Sequence, residues 1–286
     1  MSDSPKKVKL LADSSSDLLS LDGVDFSSVP LTISANDIDY VDDEALDTHA
    51  MLDALMAYKG RSYTACPGVD KWMQEFDGAD EIYVVTITSN LSGTYNAACT
   101  ARDLYLQAHP DAKICVFDTL STGPEMRLLL ERIAAMVKER LSFDAICEKA
   151  RDYLKHTRLF FVLESLHCLA QNGRVSKLTA SAVEMLGMRL VGTASTEGTL
   201  EVLTKVRGKV KAKAALLDHL KEALYKGGRL AISYVESLEF AQSVKEAILA
   251  EFPNADIALY PARGLCSYYA ERGGLLLGCE CDTVYN

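Results

Sequence analysis

The stretch Val84-Val85-Thr86-Ile87-Thr88-Ser89-Asn90-Leu91-Ser92-Gly93-Thr94-Tyr95-Asn96-Ala97-Ala98 decides the fold class. Val84, Val85 and Ile87 are β-branched, as in a parallel strand covered on both faces. The run breaks into Ser, Asn, Gly and Thr, and an Ala-rich segment over 97–106 favours helix. Ser92 stands where an N-cap is expected. Gly93 lets the backbone come close to a guest, and the first helical N–H groups lack intrahelical partners. Such a corner accepts an anion: phosphate, sulfate or carboxylate. It also reads as an ordinary helix cap, so its neighbours decide between the two.

Working outward, the first half alternates strand and helix signals. Residues 8–12 form a short apolar strand that ends in Asp13-Ser14-Ser15-Ser16-Asp17, a turn-and-cap cluster. Residues 29–33 are a second candidate strand. Thr48 caps a helix through Met51, Leu52, Leu55 and Met56, stopped by Gly60. Residues 114–117 are a strand ending in Asp118-Thr119-Leu120-Ser121-Thr122-Gly123, and a helix over about 125–140 follows. This alternation predicts a mainly parallel sheet flanked by helices. Ligands of such sheets gather beyond the carboxyl ends of the strands. Asp13, Ser14, Ser89, Ser92, Asp118 and Ser121 all fall there and are expected to share one rim.

The second half mixes hairpins with helices. Strands are expected at 159–163, 189–194, 200–206, 230–235 and 257–260, with a hairpin turn at Glu197-Gly198. A short helix over 164–170 closes at Asn172-Gly173. Leu216, Leu217, Leu220, Ala223 and Leu224 mark one face of a helix ended by Gly227-Gly228, and 241–252 reads as another. A mixed sheet follows from this pattern. With 286 residues, two domains are expected, at 1–150 and 151–286.

Composition narrows the function. Apolar residues at 49% and charged residues at 24% are the profile of a soluble folded chain. A net charge of −10 argues against nucleic acid and against docking on anionic leaflets. The polar first residues and the short apolar run after them predict neither a signal peptide nor membrane insertion, hence a cytoplasmic protein. Eight scattered cysteines lack C-x-x-C spacing, and no metal is expected. Cys279-Glu280-Cys281 places two thiols on one strand face in any case. Phosphate-loop, dinucleotide, G-x-S-x-G and H-E-x-x-H motifs are all missing, so no cofactor and no catalytic residue is assigned. His167 falls near the expected pocket but reads as a helix-surface residue.

The motifs, taken together, resemble the DegV family, the fatty-acid-binding subunits of bacterial fatty-acid kinase. Asp13-Ser14-Ser15-Ser16-Asp17-Leu18 resembles the family's opening D-S-x-x-D-L, and Thr64-Ala65-Cys66-Pro67-Gly68 falls where it carries T-S-Q-P-S. Ser89-Asn90-Leu91-Ser92-Gly93-Thr94-Tyr95 matches S-x-L-S-G-T-Y. Asn172-Gly173-Arg174-Val175-Ser176 resembles G-G-R-I-S, and Lys205-Val206-Arg207 the later K-x-R. The resemblance covers the full length. It implies a two-domain α/β fold, an N-terminal α/β/α domain with a mainly parallel sheet and a C-terminal α/β domain with a mixed sheet.

It also implies a long-chain fatty acid in a tunnel between the domains, its carboxylate held by small hydroxyl residues. Thr64 and Ser92 are the implied donors, with Gly93 and Ser89 beside them. The family's near-C-terminal histidine is missing from Tyr268-Tyr269-Ala270-Glu271-Arg272-Gly273-Gly274, and Tyr269 takes its place; Ala65 replaces a serine. Neutral hydroxyls would hold the carboxylate without a buried cation to hinder its later chemistry. Arg174 and Arg207 are the candidates to dock the catalytic subunit, or the phosphates, of a separate ATP-dependent kinase, which forms the acyl phosphate; a surface or inter-strand salt bridge is the alternative for each. The alternatives are a hydrolase or acyltransferase using Ser89 or Ser92, which needs a base within reach, and a binder of another small anion.

Overall fold

The computed structural model describes residues 6–175 and 187–282; Ser176 of the Gly-Arg motif lies outside them. In chain order the first part comprises β1 (Val8–Asp13), β2 (Asp25–Val29), β3 (Thr32–Ala35), β4 (Ile38–Val41), α1 (Thr48–Ala57), β5 (Tyr63–Ala65), α2 (Val69–Phe76) and β6 (Glu81–Thr86). It continues with α3 (Thr94–Ala108), β7 (Lys113–Asp118), α4 (Pro124–Lys138) and α5 (Phe143–Leu154). The second part comprises β8 (Thr157–Leu163), α6 (His167–Gln171), β9 (Met188–Ala194), β10 (Leu200–Arg207), α7 (Lys209–Glu222) and β11 (Arg229–Tyr234). It ends with α8 (Leu238–Glu251), β12 (Asp256–Pro261), α9 (Gly264–Ala270) and β13 (Leu275–Glu280).

Three sheets result. A parallel sheet runs in the order β2-β1-β6-β7, and a mixed sheet in the order β10-β9-β8-β13-β11-β12. A small antiparallel sheet, β4-β3-β5, was not expected. It arises because Pro30 splits the apolar run at 29–33. Val29 closes β2 in the parallel sheet, and the chain then turns into β3 of the antiparallel one. Proline has no N–H to give a ladder, so the break falls there.

Strand alternation builds the layers. Leu10, Tyr83 and Val85 face inward to a core shared with the mixed sheet, while Leu11, Ile82 and Val84 pack under α2 and α3 with Trp72 and Phe76. On β8, Leu159, Phe161 and Leu163 face the shared core, and Phe160 and Val162 face α7 and α8. Helix α4 fills the middle, with Met126, Leu129, Leu130 and Ile133 buried. It touches β13 closely: a Cβ at Gly278 would come within 2.6 Å of the Glu125 amide nitrogen. Cys279 and Cys281 sit together in the outer core of the mixed sheet, as the alternation required.

Local boundaries differ from the sequence reading in three places. Asp47, not Thr48, caps α1, accepting from Ala50 N at 2.9 Å, and the helix ends at Ala57 before Gly60. Helix α7 stops at Glu222, ahead of Gly227-Gly228, because Leu224 adopts a left-handed φ of 56°. Helix α6 starts at His167 rather than 164, and His167 is exposed, as a helix-surface residue should be.

Candidate functional site

Between the carboxyl ends of the parallel strands and the inner face of the mixed sheet lies a narrow apolar slot. It holds about 680 Å³ of empty space counted to its mouth, of which about 70 Å³ stands clear of the walls. Leu159, Phe161 and Leu163 line it along β8, so one wall follows roughly 13 Å of strand at about 3.3 Å per residue. Leu276, Leu200 and Leu265 close the sides. The Phe161 ring abuts Gly192: any Cβ there would collide with its Cζ and Cε2 atoms and with the Glu201 carbonyl. Gly192→Ala should therefore cost about 1–3 kcal/mol in denaturant unfolding by overpacking; an unchanged midpoint would show that Phe161 is not wedged there.

One end of the slot is polar. Thr64, on β5, is presented by pairing with Ile33 of β3, and its Oγ1 lies 2.7 Å from the Tyr269 hydroxyl on α9. Burial pushes the Tyr269 phenol above its usual pKa, against the hydrogen bond to Thr64, so at neutral pH it is an uncharged hydroxyl. Ser92 lines the same cavity from the loop before α3, and Arg174 from just beyond α6. Arg174 is pinned across the slot, its Nε donating to Leu91 O at 3.0 Å and its Nη1 to Asn172 O. The expectation that no cation stands beside the hydroxyls is thus corrected: Arg174 lines the slot they line.

The elements carrying these groups are tied by buried carboxylates. Asp42 accepts from Gly264 N and Leu265 N, both at 2.9 Å, and Asp17 accepts from Arg263 N at 2.8 Å, which fixes the start of α9. Tyr268 turns away from the slot and bonds Ser62 at 2.7 Å and Asn172 at 2.8 Å, joining α9 to the segment before β5 and to the end of α6.

The expected rim exists, but most of it binds main chain. Asp13 Oδ2 accepts from Ile87 N at 2.7 Å, and burial pushes its pKa up to about 6. Asp118 Oδ1 accepts from Ser89 N and Leu120 N, and Ser14 Oγ accepts from Leu31 N. Of the six rim residues Ser92 alone lines the slot. It is not the N-cap: Gly93 occupies that position without a side-chain cap, and Ser92 Oγ pairs with Thr94 Oγ1 at 2.8 Å. Ser92 Oγ also accepts a long bond from Thr94 N at 3.4 Å, and the side chain stands in the cavity wall. Ser89, Gly93 and Arg207 do not line the slot. Gly93 sits against Cys66, 3.3 Å from a would-be Cβ, and Arg207 closes β10 beside Gly187. Sequence reasoning did not single out Thr122 or Cys266, which also line the slot; Thr122 falls in the polar turn after β7, while Cys266 carries no local signal.

A family model described as "Uncharacterised protein, DegV family" matches residues 7–277. The chain belongs to the DegV family. A DegV domain-containing protein of Streptococcus pneumoniae strain R6 is 43% identical over 278 residues, 96% of this chain and 99% of the relative. Among solved structures, a DegV family protein from Eubacterium eligens loaded with heptadecanoic acid is 50% identical, with a TM-score of 0.94. The Streptococcus pneumoniae fatty acid kinase (Fak) B3 protein loaded with linoleic acid is 43% identical, with a TM-score of 0.95. Both alignments cover 96% of this chain and all of the other. The α/β architecture with one parallel and one mixed sheet is therefore the DegV fold. Among the described residues no helix is long and apolar enough to cross a membrane.

Proposed function

We propose that this DegV protein binds a long-chain fatty acid in the slot and presents its carboxylate, in the cytoplasm, to a separate ATP-dependent fatty-acid kinase. The observation that carries the reading is the slot itself, apolar along β8 and ending on Thr64, Tyr269, Ser92 and Arg174. The fatty acids held by relatives at 50% and 43% identity support it. Each methylene moved out of water contributes about 0.8 kcal/mol, so the tail supplies most of the gross affinity. The polar end fixes which way the chain enters, through charge-assisted bonds of about 1.5–3 kcal/mol each. Acyl-phosphate formation needs a carboxylate oxygen free to attack, and Arg174 lies where it would orient either the carboxylate or the incoming phosphate. Arg207 and the turn around Arg174 are the proposed kinase contacts, and residues 1–150 and 151–286 the proposed domains. Lipid extraction and mass spectrometry of the purified chain test the reading. A stoichiometric fatty acid is expected; a phosphorylated metabolite in its place would overturn it.

Ser92 Oγ pairs with the neutral hydroxyl of Thr94 and not with a base. The isolated chain should accordingly neither hydrolyse p-nitrophenyl esters nor consume ATP. Turnover that follows the protein through successive columns and disappears in Ser92→Ala would contradict this.

A further inference from the structure

A second cleft opens on the other side of Leu159, which lines both cavities. It lies between the end of β7, α3, α5 and the tip of the β9–β10 hairpin. It holds about 1210 Å³ of empty space counted to its mouth, about 460 Å³ of it clear of the walls. Four cations line it, Arg102, Arg151, Lys155 and Arg158, in a chain whose net charge is −10. The two carboxylates of its lining are engaged by the protein. Asp118 accepts from Ser89 N and Leu120 N, and Glu125 from Ser121 Oγ and Thr157 Oγ1. Arg102 pairs with Asp103 and Lys155 with Asp152, both acids being more than half exposed and screened by water. Arg151 bonds neutral groups: its guanidinium donates to Cys115 Sγ at 3.2 Å and Cys147 O at 3.5 Å and lies over the Phe117 ring.

We infer that this cleft is a second ligand site, for a small molecule carrying a phosphate or pyrophosphate group. Guanidinium forks match phosphate oxygens in pairs, and three of the four cations are arginines. Tyr95, Phe117 and Leu154 give the cleft an apolar floor, which suits an organic ester as well as the bare anion. The site is independent of the acyl slot reading, since none of its cations lines the slot.

The test is calorimetric titration of inorganic pyrophosphate into the full chain loaded with fatty acid, at about 0.15 M salt. Saturable one-site binding is expected, weakened about tenfold or more by Arg151→Gln and by Arg158→Gln. Lys211→Gln, an exposed lysine outside the cleft, should change it less than twofold. Absence of saturable binding would overturn the proposal, as would equal losses in all three variants. Loss in Arg174→Gln alone would place the anion at the acyl mouth and would also overturn it. Where Arg151→Gln fails to fold, amide shifts of the wild type decide. Pyrophosphate should move Thr119, Leu120, Ser195 and Thr196, and shifts confined elsewhere would contradict the site.

Discussion

Thr64→Val and Ser92→Ala should each weaken fatty-acid binding by roughly ten- to a hundredfold, measured by calorimetry on delipidated protein. Each removes one hydroxyl from the polar end of the slot and leaves the apolar walls intact, so the loss is that of a charge-assisted hydrogen bond, about 1.5–3 kcal/mol. Thr64→Val keeps the shape of the side chain, and it also strips the Tyr269 hydroxyl of its partner at 2.7 Å. The double variant should lose less than the sum, because the carboxylate can shift toward Arg174 or water. Ser89→Ala is the control, since Ser89 does not line the slot and bonds Asp118 through its main-chain N–H, which alanine keeps. A wild-type affinity for Ser92→Ala together with lost binding for Ser89→Ala would show that the wrong serine was assigned.

Asp17→Asn should change the pH dependence of stability, and by more than the same substitution at Asp13. Asp17 is buried, its Oδ1 accepts from Arg263 N, and its Oδ2 has no hydrogen-bond partner. Burial, with Asp42 nearby, pushes its pKa from 3.8 to about 7. The folded state thus binds this proton more tightly than the unfolded state. The contribution of the group is full below about pH 4 and is lost as pH rises to about 7. At 1.36 kcal/mol per pH unit the whole loss is about 4 kcal/mol. Asparagine keeps the acceptor for Arg263 N and carries no charge. The variant should match the wild type near pH 4 and exceed it by up to about 4 kcal/mol at pH 8 in denaturant titrations. Asp13, at about 6, adds a smaller total change of the same sign. Parallel stability curves for wild type and variant from pH 4 to 8 would rule out a protonated Asp17.

The parts of the fold that were legible are those fixed locally. The β-branched runs of β6 and β7 and the polar turns after them carry their own periodicity, and the Glu197-Gly198 turn marks the β9–β10 hairpin, where Gly198 adopts a φ of 73°. The small antiparallel sheet was missed because Pro30 was read through as strand. The Asp13–Asp17 cluster read as turn and cap, yet Asp17 holds the start of a helix 246 residues later. Nothing local encodes such a bond. Ser92 is legible from the strand-turn-helix corner itself, whereas Thr64 and Tyr269 come only with the family pattern; the direct bond between their hydroxyls, made across 205 residues, has no local signal. Arg174 was placed on the surface for docking; it lines the slot because its Nε bonds Leu91 across 83 residues.

The central claim is that an acyl chain lies along β8 with its carboxylate at Thr64 and Ser92. A crystal structure of the delipidated protein reloaded with an ω-bromo fatty acid tests it most directly, because anomalous scattering locates the tail. The bromine should lie by Leu159, at the far end of the β8 wall, with the carboxylate within hydrogen-bond distance of Thr64 and Ser92. A bromine beside Arg174 and Tyr269, or a chain bound outside the slot, would contradict the account.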